Sequence, residues 1–292
     1  MDGILLLDKP LGISSNQALQ KVKWLFQAAK AGHTGSLDPL ATGLLPICLG
    51  EATKFSHYLL DADKSYRATI MLGKTTTTGD AEGEVVMQHD VTVDLQQIQA
   101  VLPKFLGPIL QVPPMYSALK HQGKKLYEYA RDGIEIVREA REVVIEAIQL
   151  EHFSGSVVEI TVKCSKGTYI RTLAEDIGQA LGCGAHLTAL RRLSTAHFQL
   201  DEAITLDALE ALPLEMRDAR LLKPDAAIAS LPKVVLDADS TFYLLRGQEV
   251  WQAGLNRAGV MRLYGPNDVF LGIGEQKPDG KIAPKRLIVQ KI

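Results

Sequence analysis

Apolar residues follow different rhythms along this chain, and each change of rhythm marks an element. Residues 3–8 (GILLLD), apolar up to Asp8, read as a short buried strand stopped by Lys9-Pro10-Leu11-Gly12. The pattern then becomes helical. Ser14 and Gln17 have the spacing of a capping box, and Ala18, Val22, Leu25 and Phe26 recur at helical intervals. Residues 66–73 alternate, with Tyr66, Ala68, Ile70 and Leu72 on one face and Arg67, Thr69 and Met71 on the other, which predicts a strand. Asp94 and Gln97 open a second helix whose stripe is Leu95, Ile98, Val101, Leu102 and Phe105. Residues 124–132 read as a further helix closed by Gly133. Two β segments, 143–153 and 157–164, flank Ser154-Gly155-Ser156 as in a hairpin. A helix starting near Thr168 then buries Ile170, Leu173, Ala174, Ile177 and Leu181 before Gly182.

Hairpins and helices without strict βαβ alternation predict an α+β fold, with a mostly antiparallel mixed sheet flanked by helices. Pro213, Pro224 and Pro232 punctuate residues 201–232, which hold seven acids against three bases. This acidic stretch is expected to end a first domain, 1–232, and to bridge to a second, 233–292. In the second, short apolar runs at 234–236, 259–263, 269–273 and 286–289 alternate with turn residues, the pattern of a small β-barrel-like module.

Composition narrows the class. With 46% hydrophobic and 23% charged residues, the 292-residue chain is expected to be an ordinary soluble globular protein. No apolar run approaches the length of a transmembrane helix, and the opening segment lacks the basic start of a signal peptide. Cys48, Cys164 and Cys183 are odd in number and widely spaced, which suits a reducing cytoplasm and offers no zinc pattern. The net charge of −2 permits nucleic-acid binding without arguing for it, because phosphate affinity comes from Lys and Arg. Residues 233–292 do carry a local excess of +3.

The candidate chemistry lies in Gly32-His33-Thr34-Gly35-Ser36-Leu37-Asp38-Pro39-Leu40-Ala41-Thr42-Gly43. Pro39 drives Asp38 toward extended geometry, and the flanking glycines allow another molecule to approach the backbone closely. Such a setting suits a nucleophilic or acid–base carboxylate. It equally suits an Asx turn in which Asp38 caps a helix beginning at Leu40.

This string resembles the aspartate motif of the TruB family of tRNA pseudouridine synthases. Other matches follow in family order: Gly3-Ile4-Leu5 through Asp8-Lys9-Pro10, Lys64-Ser65-Tyr66, Thr78-Gly79-Asp80-Ala81-Glu82-Gly83, PPMYSALK at 113–120, GKKLYEYA at 123–130 and CSKGTYIRTL at 164–173. Ser36 departs conservatively from the usual threonine. The resemblance is strong over the first two thirds of the chain and looser over the last sixty or so residues.

The resemblance implies a pseudouridine synthase catalytic domain followed by a PUA-like RNA-binding domain. It also implies isomerisation of uridine to pseudouridine at position 55 in the T-loop of tRNA, by base flipping, in the cytoplasm. The reaction breaks and remakes a glycosidic link with no redox change, so no cofactor or metal is expected. Asp38 would be the catalytic carboxylate. By the same resemblance, Arg171 would pair with it, countering the protonation that desolvation favours, and Tyr66 would stack on the target base. Tyr169 and Leu190 would be pocket walls, and His33 would brace the space vacated by the flipped base. Asp80 matches a family position near the site, and a cap or turn explains it as well. Candidates for phosphate contact are Lys9, Lys64, Lys120, Lys124, Lys125, Arg131, Lys166, Arg191 and Arg192, with Tyr116, Tyr127 and Tyr129 marking an RNA-facing insertion.

The expected partner is the T-arm of tRNA, with no membrane and no obligatory protein partner, and the expected state is a monomer. Competing readings are a non-catalytic tRNA-folding chaperone, a guide-RNA-dependent ribosomal RNA synthase, and a hydrolase using Asp38. The last lacks a second carboxylate in a comparable glycine-rich setting.

Overall fold

A computed structural model describes residues 1–255 and 259–289 of the chain. Strand β1 (Gly3–Lys9) leads into helix α1 (Ser15–Leu25), then β2 (Ala31–His33), β3 (Ala41–Leu49) and β4 (Lys64–Leu72). Helix α2 (Leu95–Val101), β5 (Gly107–Gln111), α3 (Leu126–Arg131) and the hairpin of β6 (Arg141–Ser154) with β7 (Val157–Cys164) follow. Helix α4 (Ile170–Ala180), β8 (Ala185–Thr195) and the short β9 (Ile204–Thr205) complete this part. The strands lie in the order β9-β1-β3-β8-β4-β7-β6-β5, with β2 added beside β3. β1 with β9 and β3 with β8 run parallel; the remaining pairs on this path are antiparallel.

Burial explains the two rhythms. β1 is covered on both faces, so Leu5 and Leu7 join one core cluster while Ile4 and Leu6 join another. A strand with no wet face reads as a continuous apolar run. β4 has one buried face and alternates as the sequence implied. Both capping boxes form: the Ser14 and Asp94 side chains accept from the Gln17 and Gln97 amides, and each glutamine side chain returns the bond.

Several expectations need correction. Leu95 is 46% exposed rather than part of the α2 stripe, because it occupies the first helical position, ahead of the residues that meet the core. Helix α3 begins at Leu126, since Lys124 and Lys125 pair with Lys120 and His121 in a two-stranded ribbon. No helix follows Asp38; the chain turns through Pro39-Leu40 and enters β3 at Ala41, which removes the helix-cap reading of Asp38.

Residues 201–232 pack against the first sheet. Leu222 exchanges backbone hydrogen bonds with Ile4 (both 2.9 Å), and Ala227 and Ile228 join the cluster beneath β1. Beyond them come β10 (Lys233–Val235), α5 (Ala238–Leu244), β11 (Val250–Trp251), β12 (Gly259–Tyr264), β13 (Phe270–Gln276) and β14 (Lys281–Leu287). The strands pair as β10-β12-β13-β14-β11, a curled half-barrel. Helix α5 had no counterpart in the sequence reading, although Asp237 caps it by accepting from the Ser240 amide at 2.7 Å. Ile273 packs with Ile4, Leu6 and Phe55, so the half-barrel covers the sheet face opposite the one carrying Tyr66, Leu37 and Ala41.

Helix α4 approaches β8 at Gly178, where an added Cβ would lie 2.3 Å from the Ala185 amide nitrogen. Alanine normally favours a helix over glycine by about 1 kcal/mol. Overpacking costs roughly 1–3 kcal/mol and outweighs that gain. Gly178→Ala is therefore expected to destabilise the protein, read as a lower midpoint in urea with an unchanged slope. A raised midpoint would show that α4 tolerates displacement.

Candidate active site

The Asp38 loop joins β2 to β3 and is gripped from several directions. Ser15, the first residue of α1, accepts from the Leu37 amide at 2.7 Å and donates to the Leu37 carbonyl at 3.0 Å. The Gly12 amide donates to the Pro39 carbonyl at 2.9 Å, and the Ala41 amide closes a turn onto the Asp38 carbonyl at 3.0 Å. Asp38 therefore sits between two anchored residues, with 46% of its side chain exposed.

Arg171, in the first turn of α4, meets it. Its terminal nitrogen lies 3.1 Å from the Asp38 carboxylate, and its Nε lies 3.6 Å from Asp80. Two carbonyls complete its set: Thr78 at 3.0 Å and Tyr116 at 2.7 Å. Its side chain is only 7% exposed, and partners other than Asp38 also hold the guanidinium. Asp80 is fixed in turn, since one oxygen accepts from the Thr78 hydroxyl (2.5 Å) and the Glu82 amide (3.1 Å) while the other faces Arg171. The turn reading of Asp80 and a place beside the site are both realised.

Asp38 keeps part of its side chain in solvent while protein crowds the rest. Burial pushes its carboxyl above the ordinary range; Arg171 opposes that push, Asp80 adds to it and Lys9 opposes it. Tyr66 lies on β4 directly across from Arg192 of β8, on the same sheet face as the loop. Burial raises its phenol, with the Arg192 charge opposing. Leu190, half-buried, pairs with Ala41 on one side and Ala68 on the other, which sets it between the Asp38 loop and β4. Tyr169 caps α4 through its backbone, donating to the Gln111 side chain at 3.0 Å and accepting from it at 3.3 Å. His33 ends β2 with its Nδ1 buried and unpartnered among the described residues. Burial, reinforced by Arg192, lowers its pKa and holds the ring neutral.

Several candidate phosphate contacts face inward instead. Lys9 is fully buried and donates to the Pro10 and Ile13 carbonyls at 2.8 and 2.6 Å; burial brings it down to about 8. Lys64 donates to the Leu59, Leu60 and Ala62 carbonyls and is likewise lowered to about 8, first by burial. Arg192 is 1% exposed. Arg191 is taken up by a bidentate pair with Asp8, at 3.1 and 2.7 Å. Lys166 remains on the surface, paired with Asp61 at 2.9 Å. Lys124 pairs with Asp132 and lies over Tyr129, while Lys125 and Arg131 lie over Tyr127.

A cavity of about 580 Å³ opens between the 112–138 segment and α4, and its walls include Thr78, Tyr116, Arg138 and Glu175. It shares with the site the two residues whose carbonyls hold Arg171, but Asp38 does not line it. Among the described residues, no three His, Cys, Asp or Glu side chains gather as a metal ion would require.

Residues 23–170 match the family model of the TruB family pseudouridylate synthase N-terminal domain. Residues 171–242 match the tRNA pseudouridylate synthase B C-terminal domain, and 232–288 match the C-terminal model of pseudouridine synthase II TruB. A protein of Methylobacillus flagellatus named tRNA pseudouridine synthase B is 66% identical over 290 residues, covering 99% of this chain and 96% of that one. Its namesake in Chromobacterium violaceum is 56% identical, covering 100% and 96%. A solved chain from a Cbf5–Nop10–Gar1 complex has a TM-score of 0.73 at 27% identity, covering 99% of this chain and 84% of that one. A chain from an H/ACA ribonucleoprotein bound to substrate RNA containing 2′-deoxyuridine has a TM-score of 0.74 at 24% identity, covering 99% and 85%, a likeness of fold.

A carboxyl raised above its unfolded value binds its proton more readily in the native state. Its ionisation thus costs stability at neutral pH, and the cost disappears as pH falls below the unfolded value. Asp38→Asn is expected to melt higher than the wild type at pH 7, with the gap closing toward pH 3. Calorimetry across that range checks this, and a lower melting temperature at pH 7 would mean that the Arg171 pair outweighs desolvation.

Proposed function

The chain belongs to the TruB family of pseudouridylate synthases, and we propose that it converts uridine 55 in the T-loop of tRNA to pseudouridine, with Asp38 as the reacting carboxylate. One observation carries this reading: the ion pair at 3.1 Å between Asp38 on its anchored loop and a buried, fully engaged Arg171.

The reaction breaks the bond from the sugar C1′ to N1 of uracil and makes one from C1′ to C5; C5 then gives up its proton and N1 takes one, so the product is an isomer of the substrate. Nothing is oxidised or reduced, and the chain's own residues suffice for it. A carboxylate at this junction has three routes: attack at C1′, addition to the base ring, or removal of a sugar proton. Each needs the ionised form, which Arg171 favours against burial. The target base reaches the carboxylate by leaving its stack. Tyr66 offers it an aromatic face, Leu190 and Tyr169 enclose it, and the neutral His33 ring braces the vacated space.

Two units serve this task, a catalytic domain over 1–232 and a PUA-like RNA-binding domain over 233–292. The protein acts as a monomer on the T-arm alone, in the cytoplasm, without cofactor or protein partner. No helix among the described residues is long and apolar enough to cross a membrane.

Unmodified T-arm RNA incubated with the protein alone is expected to yield pseudouridine. Asp38→Asn should abolish turnover while RNA affinity stays within about tenfold, or roughly 1.4 kcal/mol. Binding without product in the wild type would instead indicate an RNA chaperone, and product only with added guide RNA would indicate a guided enzyme. Arg171→Met removes the charge opposing Asp38 protonation, so the acid limb of kcat/KM should move to higher pH. An acid limb that stays in place would remove Arg171 from the control of Asp38.

A further inference from the structure

Arg192 heads the largest side chains that are wholly closed from solvent, and among the described residues it has no ionic partner. Its Nε donates to the Leu44 carbonyl at 2.6 Å, and a terminal nitrogen donates to the Gly35 carbonyl at 3.2 Å. A buried charge without a counterion is costly, so filling space is a poor reason for an arginine here. The two acceptors explain it better. Gly35 lies near the start of the Asp38 loop and Leu44 lies inside β3, so one guanidinium ties both flanks of the loop to β8.

The loop is shaped around that side chain. Gly35 has φ +116, and a Cβ there would lie 3.3 Å from the Arg192 guanidinium. Gly43 has φ +100, and a Cβ there would lie 2.3 Å from the Arg192 carbonyl oxygen. On its other flank, Arg192 stands directly across from Tyr66, and two residues earlier on the same strand Leu190 stands across from Ala68. The loop that carries Asp38 is thus referenced to the strands that carry Tyr66 and Leu190 through one interior side chain.

We propose that Arg192 is a positioning residue for the reaction, setting the Asp38 loop relative to Tyr66 from inside the sheet. It acts through the Gly35 and Leu44 carbonyls, and its burial rules out the phosphate contact expected from sequence. This inference rests on Asp38 being the reacting carboxylate.

The test is single-turnover pseudouridine formation on T-arm RNA at saturating enzyme, with RNA Kd and thermal melting measured alongside. At saturation only folded, bound enzyme reports, so a purely structural role lowers the melting temperature and leaves the rate alone. Arg192→Met is expected to slow the step by about 100-fold, the scale on which a misplaced reacting group is felt, with Kd unchanged within about threefold. Arg192→Lys keeps the charge but cannot span both carbonyls, so its rate should fall between those two. If Arg192→Met does not fold, Gly35→Ala decides, because it pushes the loop off an intact guanidinium and should slow the same step. A wild-type rate in folded Arg192→Met, or a loss confined to Kd, overturns the proposal; with Arg192→Met unfolded, a wild-type rate in Gly35→Ala does so. Asp38→Asn run in parallel separates the two levels. If it is active, the reading of the site fails and this inference with it; if it is dead beside a full-rate Arg192→Met, this inference alone fails.

Discussion

The structure around Asp38 depends on one constraint: burial favours the neutral acid, and the Arg171 charge beside it opposes that push. An arginine can do so only if its own position is not negotiable. Four acceptors supplied by three separate stretches of chain fix it: Asp38, Thr78 with Asp80, and Tyr116. Two of those stretches are held in turn by β8, the Asp38 loop through Arg192 and residues 79–81 through Leu187. The Gly79 carbonyl and Ala81 amide pair with Leu187, and α4 lies against the start of the same strand through Gly178. The charge balance at Asp38 is therefore a property of how helix, strand and loop dock.

That dependence decides what could be read from the amino-acid order. Capping boxes at Ser14 and Asp94 were legible because every group involved lies within four residues. The β6–β7 hairpin was legible from its turn, and the exposed-to-buried rhythm of β4 from its single wet face. Lys9, Lys64 and Arg192 were misread as surface cations because their acceptors are backbone carbonyls, which no side-chain pattern marks, although those of Lys9 and Lys64 lie within five residues. For Arg192 these come from more than 140 residues away. Local pattern carries no record of such pairings. Asp80 shows the intermediate case: Thr78-Gly79-Asp80 announced a turn, while its facing Arg171 was a tertiary fact.

Burying three cations also changes how RNA recognition must work. Phosphate affinity rests on exposed Lys and Arg, and a chain of net charge −2 that turns some of its bases inward has fewer to offer. Further bases are committed at the surface, Arg191 to Asp8 and Lys166 to Asp61. Affinity must then come substantially from shape and from contacts to unstacked bases, as is usual for a folded RNA loop. The half-barrel fits this division of labour. It braces the opposite face of the sheet through Ile273 and Phe270, stiffening β1 and β3 from behind.

The interior cations have a consequence for the loop itself. Lys9 and Arg192 lie on the sheet face that supports Asp38, and both hold backbone oxygens on or beside the loop that carries it. A loop braced by neutral packing could relax when the carboxylate gains or loses its charge. One braced by buried cations meets that change with fixed positive charge close by, and Lys9 is near enough to oppose protonation of Asp38. Lys9, held down at about 8 by burial, meets a countervailing pull from Asp38 in return. Lys9, which helps stiffen the loop, thereby also biases Asp38 toward its charged state. Replacing Lys9 with an apolar residue of equal volume would spare the desolvation cost, yet it would remove the bias.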